Sequence, residues 1–370
     1  MRFNNDPYKK YNLYEFATRV TRKNKDNVSN LPLTISAQYG LVDQVSFFNK
    51  TVASKDMSGY YLLKNGEFAY NKSYSNDYPW GAIKRLDLYD MGCLSTLYIC
   101  FKTNDNIVNS NYLVHYFESS KWHKQVADIA GEGARNHGLL NIVVNDFFNT
   151  KHAVPTIENQ IKIAGFLDLI EKRIQTQIKI IDTLSSQKKQ IRNLIFKDIH
   201  KNVNCCIQDY VVYEQPQKYI VHSTDYLSYG KDYIPVLTAN QSFILGYTLE
   251  KDGIYEKGDC IIFDDFTNEN KYVDFPFKVK SSALKILQTK EGLMLKFFYE
   301  YLQFLKFEST DHKRHYLSEV AVTDINVPNL KEQTFVCKVF NSFDSKLKNE
   351  EALLEKYRLQ KQFLLNNLFI

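Results

Sequence analysis

The stretch VPTIENQIKIAGFLDLIEKRIQTQIKIIDTLSSQKKQIRNLIF, residues 154–196, decides the fold because the chain contains it twice. A second copy occupies residues 327–369 and aligns with the first from end to end without a gap. Its opening VPNLKEQ corresponds to VPTIENQ in the first copy. A repeat on this scale indicates that the chain is built from two similar halves.

Apolar residues in both copies recur at steps of three and four, the heptad pattern of a coiled-coil seam. Pro155 and Pro328 suit the first turn of a helix, because a proline needs no N–H partner there. Each copy is therefore predicted to form one long helix. A narrow apolar seam needs a partner, and the other copy is the nearest candidate. The predicted seam consists of Leu167, Ile170, Ile174, Ile178, Ile181, Leu184 and Ile191 in the first helix and Phe340, Phe343, Leu347, Leu354, Tyr357 and Leu364 in the second.

The two helices divide the chain into four predicted segments: a globular domain at residues 1–153, a helix at 154–200, a second globular domain at 201–326 and a C-terminal helix at 327–370. A hydrophobic content of 44% is sufficient for two folded cores. Strands and helices are mixed in each globular segment without a βαβ alternation, so the predicted class is α+β. We expect two globular domains separated by two long helices that pair as an antiparallel coiled coil.

The second globular segment repeats the element order of the first. In the first half a strand is predicted at residues 97–101 and a helix at 111–122. In the second half a strand near 284–287 and a helix near 293–304 occur in the same order. The turns Asn-Gly-Glu at 65–67 and Lys-Gly-Asp at 257–259 are also similar. The globular segments have diverged far more than the helices, as expected if the helices share one task and the globules have two.

The net charge of +5 is unevenly distributed. Residues 1–153 contain 18 basic and 14 acidic side chains, whereas residues 201–327 contain 14 basic and 18 acidic ones. This balance disfavours a non-specific DNA-coating protein, so any nucleic-acid binding must use local patches and groove contacts.

The six cysteines show neither a CxxC pair nor metal-site spacing, and no apolar run reaches the length of a membrane span. These features, together with an N-terminus without a secretory signal pattern, predict a cytoplasmic protein without a metal site.

Common catalytic motifs are missing from the sequence: there is no phosphate-binding loop, no dinucleotide-binding glycine pattern, no nucleophile elbow and no HExxH. The acidic trio Asp264, Asp265 and Glu269 is a weak candidate for a nuclease metal centre, and a solvated acidic loop is the favoured interpretation. Trp80 and Trp122 are interpreted as core residues rather than as platforms for an extruded base.

A chain built as globule, VP-x-x-x-x-Q helix, globule, VP-x-x-x-x-Q helix resembles the specificity subunit of type I restriction-modification systems. The resemblance covers essentially the whole chain and is most specific at residues 154–160 and 327–333, at the helix exits 194–196 and 367–369, and in the segment IPVLTANQSFILGYT. The acidic balance of the second globule departs from what a DNA reader usually shows.

The resemblance implies that each globule is a target recognition domain reading one half of a bipartite double-stranded DNA target. It also implies that the helices set the spacing and bind methylation subunits, of which two are expected. The chain itself would hold no cofactor and no catalytic residue. Methyl transfer from S-adenosylmethionine, and cleavage driven by ATP with Mg, would belong to the methylation subunits and the restriction subunit. The alternatives are a coiled-coil scaffold that does not bind DNA and a self-contained restriction enzyme.

Base reading in the major groove requires side chains such as Arg, Asn and Gln, supported by Lys, Ser and Tyr on phosphates. Polar loops in both globules offer such mixtures. The predicted DNA contacts in the first globule are Asn71, Lys72, Ser73, Tyr74, Lys84, Arg85, Arg135, Asn136 and His137. Those in the second are Asn240, Gln241, Ser242, Lys271, Tyr272, Lys313, Arg314 and His315.

Overall fold

The computed structural model describes residues 8–36, 39–50, 52–74, 78–131, 138–230, 232–239, 242–307 and 314–370. The chain divides into two compact units, unit 1 (Met1–Ile178 and Leu353–Ile370) and unit 2 (Lys179–Ala352). Each unit thus contains one globular segment and about half of each long helix, whereas the predicted domain boundaries lie at the helix ends. No described helix is both long and apolar enough to cross a membrane.

Unit 1 combines short antiparallel strands with short helices. The strands are β1 (Lys9–Asn12), β2 (Ala17–Arg19), β3 (Leu33–Ser36), β4 (Gly40–Asp43), β5 (Tyr61–Lys64), β6 (Phe68–Asn71), β7 (Ala82–Arg85), β8 (Met91–Leu94), β9 (Ile99–Thr103) and β10 (Lys151–Val154). The helices are α1 (Leu13–Phe16), α2 (Gln44–Phe48), α3 (Ser110–Glu118), α4 (His123–Ala127) and α5 (Val144–Phe148), and the long helix α6 (Ile157–Ile199) begins here.

Unit 2 has a similar inventory. It contains α7 (Ile207–Tyr210) and α8 (Leu295–Leu305), and the long helix α9 (Leu330–Leu368) begins in it. Its strands are β11 (Cys205–Cys206), β12 (Val211–Glu214), β13 (Ile234–Leu237), β14 (Ile244–Thr248), β15 (Cys260–Asp264), β16 (Asn270–Val273), β17 (Lys278–Val279), β18 (Leu284–Thr289) and β19 (Asp324–Ile325).

The same sheet is built in both units. Unit 1 has the antiparallel strand order β2-β9-β6-β7, and unit 2 has the order β12-β18-β15-β16. In each unit the first strand pairs with the last strand before the long helix, β1 with β10 and β11 with β19. The turns before β6 and β15 place Gly66 and Gly258 at φ of +83° and +91°, a conformation that side chains other than glycine rarely adopt. The predicted α+β class is confirmed.

Two predicted elements begin or end at different residues than expected. The helix predicted at residues 111–122 ends at Glu118, where the Ser119 hydroxyl donates to the carbonyl of Tyr116 over 2.6 Å and the backbone becomes extended. The long helices start at Ile157 and Leu330, not at the valine of the VP motif, because Val154 is the last residue of β10.

The long helices pair as an antiparallel coiled coil. In unit 2, Lys188 of α6 bonds to Asp344 of α9, and further along α6 Phe196 stacks on Phe340 with ring centroids 6.2 Å apart. In unit 1, Glu171 of α6 pairs with Lys361 of α9 at 2.8 Å. All the predicted seam residues are buried or half-buried.

The glutamine that ends each VP-x-x-x-x-Q motif ties its globule to its helix. The buried Gln160 accepts a hydrogen bond from the N–H of Asn109 at the start of α3 (2.7 Å) and donates to the carbonyls of Ile107 (3.2 Å) and Pro155 (2.8 Å). Gln333 repeats this arrangement with the N–H of Met294 at the start of α8 and the carbonyls of Gly292 and Pro328, each at 2.8 Å. The repeated glutamine therefore satisfies backbone groups that would otherwise be buried without partners.

We predict that Gln160→Leu destabilises unit 1 by about 2–4 kcal/mol, because three backbone groups lose their partner inside the protein. Both tryptophans of the chain, Trp80 and Trp122, lie in unit 1, so urea unfolding followed by tryptophan fluorescence reports on this unit. Gln360→Leu, at an exposed position of α9 in the same unit, is the matched control. Equal midpoints for the two variants would contradict the role assigned to Gln160.

A buried histidine of β10 is held in its neutral form. The Thr150 hydroxyl donates to the carbonyl of Phe147 (2.6 Å), so it is left to accept from His152 Nε2 (2.8 Å). His152 Nδ1 then accepts from the Tyr116 hydroxyl at 2.8 Å. Burial lowers the pKa of His152 to about 4.

This depressed pKa predicts acid sensitivity of unit 1. In the unfolded chain His152 takes up a proton near pH 6.5, whereas in the folded protein it does so near pH 4. Stability is therefore retained above pH 6.5 and falls by about 3 kcal/mol as the pH drops from 6.5 to 4. His152→Gln should flatten this part of the profile measured by tryptophan fluorescence, and Lys151→Gln, an exposed control in the same strand, should not. An unchanged slope in His152→Gln would refute the assignment.

Candidate nucleic-acid interface

Backbone hydrogen bonds hold the loop after β6 against residues 138–140. Beyond β6 the chain continues beside the segment that follows residues 132–137: Leu140 N–H donates to the carbonyl of Lys72 (2.9 Å), and Tyr74 N–H donates to the carbonyl of Gly138 (2.7 Å). Arg135, Asn136 and His137 lie outside the described residues, but the residue that follows them is thereby placed next to the loop after β6. The loop after β6 and residues 138–140, which are far apart in the sequence, therefore lie side by side in unit 1.

The four described side chains of this loop differ in exposure. Asn71 is half-buried, and its side-chain oxygen accepts from Ser73 N–H at 3.1 Å, which shapes the turn. Lys72 is half-buried, burial lowers its pKa, and its ammonium donates to the carbonyl of Ile142 at 3.5 Å. Ser73 and Tyr74 are exposed. The geometry therefore leaves Ser73 and Tyr74 facing solvent, with Lys72 partly committed to the fold.

Lys84 and Arg85 are engaged inside unit 1. The Lys84 ammonium lies 3.3 Å from a carboxylate oxygen of Glu118, and the Arg85 guanidinium contacts the Asp87 carboxylate at 2.6 Å. Arg85 also donates to Ser110 Oγ and Asn111 Oδ1 at the start of α3. Their predicted role as DNA contacts remains untested, and the structure assigns both a packing role between β7 and α3.

Unit 2 has an equivalent edge after β15. His315 N–H donates to the carbonyl of Asp265 at 3.0 Å, and Tyr316 N–H donates to the Asp265 carboxylate at 2.9 Å. Lys313 lies outside the described residues. The Arg314 side chain is 59% exposed, with its guanidinium 4.0 Å from that carboxylate and over the ring of Phe266. His315 is buried and bonds to Glu319 at 3.0 Å. Arg314 is thus the described side chain of this cluster that a ligand can reach.

The remaining predicted residues of unit 2 lie in two places. Ser242 is exposed between β13 and β14, whereas Asn240 and Gln241 lie outside the described residues. Lys271 and Tyr272 lie in β16 and are half-buried. The Tyr272 hydroxyl donates to Asp259 at 2.6 Å, and its ring packs 5.6 Å from that of Tyr299, so this side chain is committed to the fold.

The expectation of a solvated acidic loop is wrong for two of the three carboxylates after β15. Asp264 and Asp265 are buried, while Glu269 is exposed. Asp264 accepts from the N–H groups of Phe266 and Thr267 at 2.9 and 3.0 Å, and Asp265 pairs with the buried Lys285 at 3.1 Å. Asp264 therefore shapes the turn after β15, and Asp265 also holds the backbone at Tyr316, two residues after Arg314. Hydropathy alone could not find this, because Lys285 lies in a different strand, β18.

We predict that Asp265→Asn destabilises unit 2 by about 3–5 kcal/mol, because the Lys285 ammonium is left buried without its counter-charge. Glu269→Gln, in the same turn but exposed, should change the free energy of unfolding by less than about 0.5 kcal/mol. Denaturant unfolding followed by circular dichroism checks both. If these carboxylates instead formed a metal centre, Mg²⁺ would stabilise the unmodified chain and both substitutions would abolish that effect.

The two tryptophans behave as predicted for core residues. Trp122 is buried and its indole N–H donates to the carbonyl of Phe117 at 3.0 Å, and Trp80 is half-buried against the same core. Neither is placed to receive an extruded base.

Sequence reasoning missed exposed lysines on the strand pair β1–β10. Lys9, Lys10 and Lys151 are exposed, and the antiparallel register brings them onto one ribbon. The signal available in the sequence was the lysine pair Lys9 and Lys10 together with Lys151, which lies shortly before the VP motif. Only strand pairing makes them neighbours.

Comparisons with known proteins agree with this architecture. No family model matches the chain. It is 48% identical over 122 residues to the type I restriction enzyme EcoR124I/EcoR124II specificity subunit of Escherichia coli, a match spanning 31% of this chain and only 30% of that relative.

Two solved structures have a similar fold. The S subunit of a type I restriction-modification system from M. genitalium matches over 99% of this chain and 97% of its own, with a TM-score of 0.60 and 15% identity. A structure from work on complex assembly and conformational transition of the type I R-M system matches over 98% and 97%, with a TM-score of 0.55 and 13% identity. The resemblance to type I specificity subunits that the sequence indicates is thereby confirmed, in fold along the whole chain and in sequence over a third of it.

Proposed function

We propose that this chain, a relative of the type I specificity subunits with their fold, is the DNA sequence-specificity subunit of a type I restriction-modification complex. Each globule reads one half of a bipartite double-stranded target. The helices, each of which runs through both units, set the gap between the half-sites.

The observation that carries the proposal is a duplicated scaffold with divergent loops. Both units share the sheet order, the first-to-last strand pair and the glutamine contact to the helix. The loops after β6 and β15 differ: the first presents Ser73 and Tyr74, whereas the second is a buried acidic turn beside which the segment at residues 314–316 presents Arg314. Two readers of different sequences on one repeated frame require this combination, whereas a scaffold has no need for it.

Catalysis is assigned to partner subunits in this proposal. The helical coiled coil binds methylation subunits, expected to be two, that transfer a methyl group from S-adenosylmethionine to adenine. A restriction subunit supplies ATP- and Mg-dependent cleavage. The complex works in the cytoplasm, where its DNA substrate lies.

Separated half-sites gain affinity from linkage. Two modest binders on one chain reinforce each other through effective concentration, but only when the spacing of the target fits the connection between them. A fixed gap in the recognised sequence is therefore an expected property of the complex and not an incidental one.

We predict that co-expression with a cognate methylation subunit in a methylation-free host marks adenines within one bipartite motif of fixed gap, read by sequencing modified bases. Arg314→Ala should relax the second half-site only, since a lost guanidinium contact to a base costs about 1–3 kcal/mol of discrimination. The first half-site and the gap should stay unchanged.

Arg173→Ala is the matched control, because Arg173 is an exposed arginine of α6 and is not among the predicted DNA contacts. A stable complex that modifies no DNA would favour the coiled-coil scaffold instead. DNA cleavage by the purified chain alone would favour the self-contained restriction enzyme.

A further inference from the structure

The strand pair β1–β10 carries a basic surface that the recognition loops do not use. Lys10 lies opposite Ala153 and Asn12 opposite Lys151, so Lys10 and Lys151 are diagonal neighbours on the solvent face of the ribbon. Lys9 is exposed at the end of β1, and the Asn12 amide donates to the Tyr14 hydroxyl at 3.0 Å. These five residues, Lys9, Lys10, Asn12, Tyr14 and Lys151, form what we call the basic ribbon.

The charges of the basic ribbon are not neutralised within the described part of the chain. No carboxylate of the described residues lies within 4 Å of the ammonium groups of Lys9, Lys10 or Lys151. The nearest acid in the sequence, Glu15, accepts from Asn12 N–H at 2.6 Å as part of the cap of α1. Lys10 and Lys151, which share one face of the ribbon, repel each other unless an anion lies between them. Lys9 lies on the opposite face, with its ammonium 4.8 Å from the centroid of the Tyr11 ring.

The equivalent ribbon of unit 2 lacks this charge. Leu13 N–H donates to the carbonyl of Thr150, and Ile207 N–H donates to that of Thr323, which fixes the correspondence between β1–β10 and β11–β19. The counterparts of the three lysines are then Val203, Asn204 and Asp324. A ribbon kept only for folding would not need three lysines in one unit and an aspartate in the other.

The side-chain chemistry favours a phosphate backbone over a protein surface. Lysine, asparagine and tyrosine are common donors to DNA phosphates, and a lysine ammonium is a point charge without the planar fork of an arginine. A protein interface would require an apolar centre, and the face shared by Lys10 and Lys151 otherwise carries Asn12 and the half-buried Ala153.

We propose that the basic ribbon binds the sugar–phosphate backbone of double-stranded DNA without reading its bases. The proposal rests on the proposed function, since it assumes a DNA-bound complex. It supplies unit 1 with sequence-independent affinity and offsets the acidic balance of residues 201–327.

The test compares two triple variants of unit 1 in the assembled complex. Lys9→Ala, Lys10→Ala and Lys151→Ala together remove the ribbon charge. Lys25→Ala, Lys55→Ala and Lys64→Ala remove the same charge from exposed lysines elsewhere in the unit. Binding of the complex to a duplex that contains its bipartite motif, and to a scrambled duplex, is measured by fluorescence anisotropy between about 50 and 200 mM salt.

We expect the ribbon variant to lose affinity for both duplexes by the same factor. Its slope of log K against log salt should fall by about 2 to 3, so that the affinity lost between about 50 and 200 mM shrinks roughly 40-fold. The arginine version, Lys9→Arg, Lys10→Arg and Lys151→Arg, should keep the original slope.

A slope equal to that of the control variant would overturn the proposal. Release of the methylation subunit from the ribbon variant would also overturn it, because a protein partner would then occupy this surface. Failure of the unmodified complex to prefer its motif would reject the proposed function, and the salt slope on the scrambled duplex would still decide the ribbon.

Discussion

The apolar seam of the long helices is the constraint on which the rest of the structure depends. Neither helix can bury this narrow stripe alone, and a helix of about 40 residues, roughly 60 Å long, has far more seam than one small globule can cover. Pairing with the other copy removes the seam from water along both helices. Because the copies are antiparallel, each globule is packed against the beginning of one helix and the end of the other. This explains why a compact unit contains pieces from distant parts of the sequence.

Buried charges then fix the pairing. Glu171 pairs with Lys361 in unit 1, and the residues at the equivalent positions, Asp344 and Lys188, pair in unit 2. Burial would raise the pKa of Glu118 in unit 1, but the charges of Lys361 and Lys84 hold it down at about 2.

In unit 2, the fully buried Glu300 of α8 has Lys188, Arg192 and Lys296 within 3.2 Å. A buried charge without its partner costs several kcal/mol. Slippage of the helices, or displacement of a globule from them, would separate these charges from their partners and is therefore costly.

Much of this frame could be predicted from the sequence, because a repeat and a heptad pattern are local signals. The two helices have acidic residues at the equivalent positions 171 and 344 and lysines at the equivalent positions 188 and 361, so the repeat also indicates both ion pairs. The recognition edges could be predicted only as clusters of residue types. Whether a lysine is free or bound depends on strand register and on partners in other elements, as Lys84 with Glu118 and Asp265 with Lys285 show. Composition also concealed the basic ribbon, since its lysines come from opposite ends of the first globular segment.

The two units have diverged in their loops because the loop residues and the helix-contacting residues are under different structural constraints. The residues that recur are those whose partners are backbone groups or the other helix: Gln160 and Gln333 bond to carbonyls and N–H groups that any sequence provides. Asp264 and Asp265 are likewise committed to partners in the turn after β15. Exposed side chains such as Ser73 and Arg314 have no such obligation, because backbone contacts hold the chain beside them. A substitution there changes what is presented and leaves the helical pairing intact. Under the proposed function, one frame can therefore carry two readers whose specificities change independently, provided that the glutamines and the seam are kept.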